Sequence, residues 1–464
     1  MVRIGVDVGG TNTDAVVMVG RDILAAVKVP TSADVTTGLM QALREVQKQA
    51  AIAPGNVALV VIGTTHFTNA VIERRHLSET AVVRLCLPAA QCLAPMVDWP
   101  ADLRAAIGDH VFLASGGFEF DGTPIAPFDP KEISRIGAAI RERRIKAIAV
   151  AGVFAPVKDQ FEREAAALLA AACPEASITL SSSIGQLGLV ERESATILNS
   201  ALLQLAHQTV ASLRDGVAQC GITCPVFLSQ NDGTLMDAAQ AERFPVLTFA
   251  SGPTNSMRGA AFLSGQSEAI VIDVGGTTTD VGLLHKGFPR QAGSTVDIGG
   301  VRTNFRMPDV FSIGLGGGSI AADDSPAPRV GPQSVGFDLT RRARVFGGDV
   351  ITATDLAAAA DRSRVSPAPL PVIAVGGGSI LMPKTLGGLE VIRPEHFVVA
   401  NAIGAAIAQT SGEVDRIYSL EKLSREAALA EAERDARQKA VAEDRRRQCH
   451  GAHYHRGCRR NSCG

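Results

Sequence analysis

The sequence predicts an α/β protein in which a duplicated unit with mixed sheets faces itself across a cleft. Three observations carry that expectation. Residues 2–18 (VRIGVDVGGTNTDAVVM) read as two short β-branched strands joined by a Gly-Gly turn, with Asp7 closing the first strand. Residues 270–284 (IVIDVGGTTTDVGLL) repeat them, with Asp273, Gly275, Gly276, Thr277, Thr278, Thr279 and Asp280 in register. The offset, 273 − 7 = 266 residues, is too long for a solenoid and right for a duplicated domain. Between and beyond the copies, strand-like and helix-like stretches alternate, the pattern of a mixed, largely covered sheet.

The turn chemistry follows from the residue types. Gly9 and Gly10 in one copy, Gly275 and Gly276 in the other, let backbone N–H groups approach phosphate oxygens. Thr11, Asn12 and Thr13, with Thr277 and Thr278, add side-chain donors, and Asp7 and Asp273 are placed to hold Mg²⁺ through water. One Gly-Gly-Thr hairpin is a common plain turn. Two copies, each ending in Thr-Asp and a fresh apolar strand, point to duplicated phosphate loops facing each other.

In chain order, a third strand is expected near 22–29 and a helix over 36–50, where Leu39, Leu43 and Val46 keep helical spacing. A buried strand at 57–62 runs into Gly63-Thr64-Thr65, followed by a helix over 66–75. Helices are expected at 128–144 and 159–172, strands at 147–150 and 177–180, and a long helix or helix pair over 187–217. The segment 247–259 reads as a strand, a Gly-Pro turn and a helix start leading into the second loop copy. Two further glycine loops follow, at 313–320 and 372–380. In the latter, four strand-like residues precede Gly376-Gly377-Gly378 and a helix follows from Ser379, which suits either a nucleotide's ribose and phosphates or close helix–strand packing. An apolar helix is expected over 394–412.

Composition bounds the function. At 464 residues the chain has room for two or three domains, and a formal net charge of −2 gives no case for nucleic acid or an anionic membrane. No run of 18 apolar residues and no leader pattern occur, which points to the cytoplasm; eight Cys in such a chain fit reduced thiols. Cys220 and Cys224 have no second pair to complete a zinc site. No Gly-Lys dipeptide exists, so there is no Walker A loop, and H-E-x-x-H and G-x-S-x-G are absent. His66, just after Thr64 and Thr65, is a candidate for touching substrate; a capping or surface role is the alternative.

The ordered motifs resemble the large subunit, or N-terminal half, of the hydantoinase/5-oxoprolinase family within the actin–hexokinase–Hsp70 ATPase superfamily. The carriers are Asp7-Val-Gly-Gly-Thr-Asn-Thr-Asp14, Gly63-Thr-Thr-His-Phe-Thr-Asn-Ala-Val-Ile-Glu-Arg74 and Glu191-Arg-Glu-Ser-Ala-Thr-Ile-Leu-Asn199. Gln230-Asn-Asp-Gly233, Ser251-Gly-Pro253, the second loop copy and Ile313-Gly-Leu-Gly-Gly-Gly-Ser319 complete the set. The resemblance implies two RNase H-like domains of the actin/hexokinase type with ATP and Mg²⁺ between them. Asp7 and Asp273 would serve the metal, Gly9–Thr13 and Gly275–Thr278 the phosphates, and Gly376–Gly378 the adenosine. Thr64, Thr65, His66, Asn231 and Asp232 would be candidates for the substrate. It further implies ATP-dependent opening of a cyclic amide such as a hydantoin, 5-oxoproline or a lactam, together with a second polypeptide, hydantoinase B-like or an unrelated catalytic subunit. A small-molecule kinase or an ATPase switch for a partner protein is the alternative on the same fold. The run Arg84–Cys92 lacks the Gly-Phe-Arg-Asp-like stretch expected there, which leaves the substrate open.

The expected domains are 1–200 with the first phosphate loop, 201–417 with the second phosphate loop and the adenosine loop, and a tail over 418–464. Residues 418–443 read as a solvated helix. A break is expected at Asp444, because 445–464 holds six Arg, three Cys and three His but no Val, Ile or Leu; disorder or a translational frame change is the expectation there.

Overall fold

A computed structural model describes residues 1–31, 35–276, 278–293, 295–304, 306–313, 319–322, 329–342, 349–350, 370–382, 384–386, 389–412, 414, 418 and 423–457. The chain opens with β1 (Val2–Val8), β2 (Asn12–Val19) and β3 (Asp22–Pro30), an antiparallel meander. Helix α1 (Val35–Ala50) returns it to β4 (Val57–Thr64), parallel to β1. The meander forms because its strands are rich in Val and Ile, with β-branched Val2, Ile4, Val6 and Val8 at alternate positions of β1, and Gly20, at φ +63°, turns the second hairpin.

Helix α2 (His66–Glu73) then leads into a separate sheet. It is built from β5 (Thr80–Leu87), α3 (Ala101–Ile107), β6 (His110–Ser115), α4 (Pro130–Glu142), β7 (Ala147–Gly152), α5 (Gln160–Ala172) and β8 (Ser177–Leu180). Its order is β6-β5-β7-β8, all parallel. Helix α6 (Leu189–Gln219) leaves it as one unbroken 31-residue rod, so the boundary expected at 200 falls inside a helix. Its N-terminal half packs with Val82 and Ala149 of the parallel sheet, and Leu213 and Val217 pack with β1, β4 and α1. Strands β9 (Val226–Ser229) and β10 (Leu235–Asp237) complete the first sheet, in the order β10-β9-β4-β1-β2-β3.

After α7 (Ala238–Arg243), α8 (Ser251–Ser264) carries the chain into the second copy. Strands β11 (Ala269–Val274) and β12 (Thr279–His285) pair antiparallel, with β13 (Phe288–Pro289) on the edge. A hairpin of β14 (Val296–Ile298) and β15 (Val301–Thr303) precedes β16 (Val310–Ile313), which pairs β12. Strands β17 (Ser319–Ala322) and β18 (Arg329–Ser334) form a second hairpin, followed by a short α9 (Leu339–Arg342). Strand β19 (Val372–Val375) then lies parallel to β11, and β21 (Leu389–Ile392), antiparallel to β20 (Thr385–Leu386), lies parallel to β19. Both mixed sheets therefore share one plan: a Gly-Gly hairpin, with two parallel strands added beside its first strand. The duplication read from the sequence is a duplication of topology.

Helix α10 (Ala400–Ala406) wedges between the halves. Its Gly404 lies against the Asn255 carbonyl of α8, Gly259 of α8 lies against the Ala400 carbonyl, and Gly5 of β1 lies against the Ala402 carbonyl. A Cβ at any of the three would overlap backbone, so the elements meet main chain to main chain.

The motif at 191–199 turns out to be a buried ionic hub. Arg84 of β5 makes a bidentate pair with Glu193, and both side chains are buried. Arg192 donates to Ser181 Oγ and to the carbonyls of Gln186, Leu187 and Gly152. Glu162 accepts from Ser181, Ser182 and the Gly152 N–H. Asn304 ties this hub to the second copy through Gln186 and Gly188.

Several local expectations are corrected. Residues 245–248 form a 3-10 turn where a strand was expected, since Pro245 sets a helical φ and no polar–apolar alternation follows. After Gly376 the chain makes a 3-10 turn (Gly377–Leu381) and no α-helix. Over 394–412 only α10 is α-helical, because left-handed His396 and a 3-10 turn precede it. Helix α11 (Arg425–Gly457) runs through the break expected at Asp444; that span lacks proline and is rich in Ala, Glu and Arg, which favours the helix. Gly412 lies against the α11 backbone at Ala436 and Ala440, and Ala428 is buried. Residues 458–464 lie outside the described residues.

Candidate functional site

Strand register creates the site. Asp7 of β1 lies directly opposite Asp14 of β2, and Asp273 of β11 directly opposite Asp280 of β12. Like charges paired across strands destabilise a sheet, so two such pairs at equivalent positions point to function. Each carboxylate has its own partner. Asn401 Nδ2, at the start of α10, donates to Asp7 Oδ2 at 2.8 Å. Lys28 Nζ of β3 sits 2.7 and 2.6 Å from the two oxygens of Asp14. Ser256 Oγ of α8 donates to Asp273 Oδ2 at 2.5 Å, and Ser312 Oγ of β16 donates to Asp280. Burial, with Asp14 and Asp273 nearby, pushes Asp7 up to about 7, and burial beside Asp273 does the same for Asp280. Burial also raises Asp14 and Asp273, against the opposing pull of Lys28 and of the Ser256 hydroxyl respectively.

The two glycine loops are built alike. Gly9 N–H donates to Asn12 O at 3.0 Å, and Gly275 N–H donates to Thr278 O at 2.9 Å, the same closure one repeat later. Thr31 pins the first loop: its N–H donates to Thr11 O at 2.9 Å, its hydroxyl donates to Gly9 O at 2.8 Å, and Thr13 Oγ1 lies 3.2 Å from that hydroxyl. Gly10 has open space around it. The loops face each other closely enough that a Cβ on Gly276 would stand 2.5 Å from Thr11 Oγ1. Thr277 lies outside the described residues.

The third loop abuts the second. Gly376 adopts φ +82°, donates its N–H to Phe397 O at 3.0 Å, and leaves no room for a Cβ beside the Asp273 carboxylate. A Cβ on Gly378 would crowd Val274 at 2.6 Å. Close packing on β11 thus explains Gly376 and Gly378, while a Cβ on Gly377 would come no nearer than 3.7 Å, to Lys28 Cε.

The substrate candidates collect around the N-terminus of α8, at the carboxyl ends of β4 and β9. Gly63 and Thr64 are the register partners of Asp7 and Val8. Ser251 Oγ donates to Thr64 O at 3.2 Å, and Thr254 Oγ1 donates to Asn231 O at 2.8 Å. Thr65 precedes α2 without capping it and lies beside Gly252. His66 opens α2, its N–H donating to Thr64 Oγ1 at 3.2 Å; burial lowers its pKa, which favours the neutral imidazole. Asn231 is buried with its Nδ2 unpartnered. Asp232 instead closes its own turn, accepting from Thr234 N–H at 2.9 Å and from Thr234 Oγ1 at 2.6 Å.

These residues fit a divalent cation with a polyphosphate. Two buried carboxylates, Asp7 and Asp14, and two half-buried ones, Asp273 and Asp280, stand against one ammonium, and Asp7 Oδ1 is buried without a hydrogen-bond partner. A Cβ on Gly63 would lie 2.5 Å from that oxygen and 2.6 Å from Asn255 Nδ2, which is also unpartnered, so both polar atoms pack against bare main chain at Gly63. Among the described residues no group of three or more His, Cys, Asp or Glu could hold an ion by itself. Mg²⁺ held by one or two carboxylates, waters and phosphates needs no such cage.

Sequence reasoning missed Lys28, Thr31, Asn255, Ser256, Ser312 and Asn401. Asp14 and Asp280 were visible in the repeat, in register with each other, and alternation along a strand already put each on one face with its partner. Asn401 lies 394 residues from Asp7 and carries no motif.

Family models match two stretches: the hydantoinase/oxoprolinase N-terminal region over residues 3–173, and hydantoinase/oxoprolinase over 192–377. The caprolactamase subunit alpha of Pseudomonas jessenii is 25% identical over 384 residues, covering 76% of this chain and 53% of that protein. This chain spans about half the length of the curated relatives it matches. Among solved structures, nucleotide-free acetone carboxylase superposes with a TM-score of 0.70 at 16% identity, covering 89% of this chain and 71% of that one. The ATP-dependent caprolactamase of Pseudomonas jessenii gives 0.62 at 22% identity, covering 87% and 61%. Among the described residues no helix is long and apolar enough to cross a membrane. Two family models in sequence order, meeting near the start of α6 and taking in both aspartate loops, establish that the chain belongs to the hydantoinase/oxoprolinase family.

Proposed function

We propose that this chain is the nucleotide-binding subunit of an ATP-dependent hydrolase that opens a cyclic amide such as a hydantoin, 5-oxoproline or a lactam. The observation that carries this reading is the pair of facing loops, each with two aspartates in cross-strand register and one with a free, buried carboxylate oxygen. A relative named as a caprolactamase subunit supports the substrate class.

An amide carbonyl is resonance-stabilised. Transfer of the γ-phosphoryl group to its oxygen, with ADP as the leaving group, makes the carbon an electrophile; one water adds to that carbon, the ring C–N bond breaks with the nitrogen leaving as the protonated amine, and a second water hydrolyses the resulting acyl phosphate to the acid and phosphate. Bound Mg²⁺ would supply charge neutralisation at the transferred phosphoryl group. Asp7, which accepts from Asn401, and Asp273, which accepts from Ser256, would hold that ion. The backbone N–H groups around Gly10 and Gly276 hold the phosphates, and the turn at Gly376–Gly378 borders the adenosine. Positioning of this kind supplies most of the catalysis in phosphoryl transfer.

Among Thr64, Thr65, His66 and Asn231, the neutral His66 and the unpartnered Asn231 amide offer hydrogen bonds to a cyclic amide. A second, hydantoinase B-like subunit completes the ring-opening site, in keeping with the designation "subunit alpha" of the relative. The test is ADP and acid production across a panel of lactams and hydantoins, with and without the partner subunit. The lone chain is expected to bind ATP with at most slow, substrate-independent turnover, and the partner to couple ADP formation to ring opening. Ring opening by the lone chain at about 1–10 s⁻¹ would refute the two-subunit reading. A stable phosphorylated product would make the chain a kinase.

A further inference from the structure

We propose that Lys28 is the phosphate-contacting cation of this cleft, pinned by Asp14 on one side and carrying a γ-phosphate oxygen of ATP on the other. The inference rests on the nucleotide reading above and names a residue that no motif marks. Phosphoryl-transfer sites commonly place a lysine or arginine on the phosphates, and this chain has no Walker lysine to do so.

The geometry supplies a substitute. Strand β3 pairs with β2 so that Lys28 stands directly opposite Asp14. Its ammonium lies 2.6–2.7 Å from the Asp14 oxygens. An ammonium has three N–H donors, and a single carboxylate leaves at least one of them free. The Asp14 side chain is only 2% exposed, whereas that of Lys28 keeps 27% of its surface open. The stem crosses the cleft: Lys28 Cε lies 3.7 Å from where a Gly377 Cβ would stand, so β3 and the third glycine loop meet at this side chain. Its charge acts on Asp7 of the first loop and on Asp273 of the second.

The same segment also holds the first phosphate loop. Three residues on, Thr31 is bonded to Gly9 and Thr11, so the lysine and the loop backbone are set by one stretch of chain. An ion pair serving only stability would need neither to reach the third glycine turn nor to act on an aspartate of each loop. Lysine suits this task as a compact point charge fixed by a buried anion.

The experiment is calorimetric titration of the full chain with Mg²⁺ and either a non-hydrolysable ATP analogue or ADP. Lys28→Met combined with Asp14→Asn removes the pair together, so that neither charge is left buried alone. That double variant should lose at least about tenfold in affinity for the triphosphate, the scale of one charge-assisted hydrogen bond, and much less for ADP. Lys28→Arg should keep most of the triphosphate preference. Asp14→Asn alone removes the pin but keeps the cation, and should lose less of the triphosphate preference than the double variant; a loss as large as the double variant's would show that Asp14, not Lys28, carries the preference and would overturn the proposal. Equal losses for both nucleotides, or no loss for either, in the double variant would reduce the pair to a structural one. Failure of the unaltered chain to bind either nucleotide would overturn the nucleotide reading, and this proposal with it.

Discussion

Asp7 and Asp280 are carboxylic acids whose folded-state pKa is raised to about 7. An unfolded chain releases those protons near pH 4, so between about pH 4 and 7 the folded chain holds more protons than the unfolded one. Stability must then fall as pH rises through that window and reach its floor above 7, each group contributing at most about 1.4 kcal/mol per pH unit. Burial raises Glu162 too, which acts in the same direction. The melting temperature at pH 8 without nucleotide is therefore expected to lie below that at pH 5, and Mg²⁺ with ATP should narrow the gap. A flat or rising profile in thermal melts would show that the four carboxylates are solvated. Asp7→Asn should lower ATP turnover about a hundredfold, the scale of losing one preorganised charge-stabilising group, while leaving the pH 8 melting temperature equal or higher. Asp7 and Asp273 were legible because a strand–turn repeat declares itself locally. Their partners Asn401 and Ser256 were not, because only the packing of α10 and α8 brings an ordinary Asn and Ser to those carboxylates.

At the scale of elements, the crossing of α8 and α10 is the joint on which the site depends, since it delivers Ser256 and Asn401 together. Gly404→Ala would force a methyl group into the Asn255 carbonyl. Overpacking of this kind destabilises by roughly 1–3 kcal/mol, and here it should also weaken nucleotide binding by moving Asn401 off Asp7. Denaturant melts and nucleotide titration of that variant report the two effects separately; unchanged values for both would show that the helices part at no cost. The Arg84–Glu193 pair tests differently. Glu193→Gln leaves a buried guanidinium unpaired and should lose about 3–5 kcal/mol of stability, while a double replacement of both by apolar residues should lose much less. Sequence periodicity located α1, α4, α5 and β8 closely, because each has an apolar face or a run of its own. The crossing was invisible, since glycines that admit a neighbouring backbone look like any other glycines until the neighbour is known.

At the scale of the whole molecule, alternation of strands and helices was legible and its division into sheets was not. The parallel sheet β6-β5-β7-β8 shows the same alternation as the mixed sheets around it, and nothing in the residues of α6 marks the passage from one to the other. The tail was misread at Asp444 because low apolar content was weighed above helix propensity. Deleting 445–464 is nevertheless expected to leave the melting temperature and nucleotide affinity unchanged, since the segment offers no Val, Ile or Leu to bury. A melting temperature lowered by more than about 2 °C would show that this part of α11 is docked.

The interleaved path of the chain also dictates an order of events on the ribosome. Strand β1 emerges well before its sheet can be completed: that sheet needs β9 from residues 226–229 and is covered by α10 from residues 400–406. The parallel sheet closes within residues 80–180, using contacts far shorter in sequence. The middle of the chain is thus expected to fold while the earlier meander still waits with an unpaired β4 edge, the condition in which nascent chains invite chaperones or pair wrongly. Ribosome-arrested chains with about 220 residues outside the exit tunnel should yield a protease-resistant core mapping to 80–180, with cleavage in β1–β3. Protection of the N-terminal meander at that length would mean that it folds without the strands synthesised last.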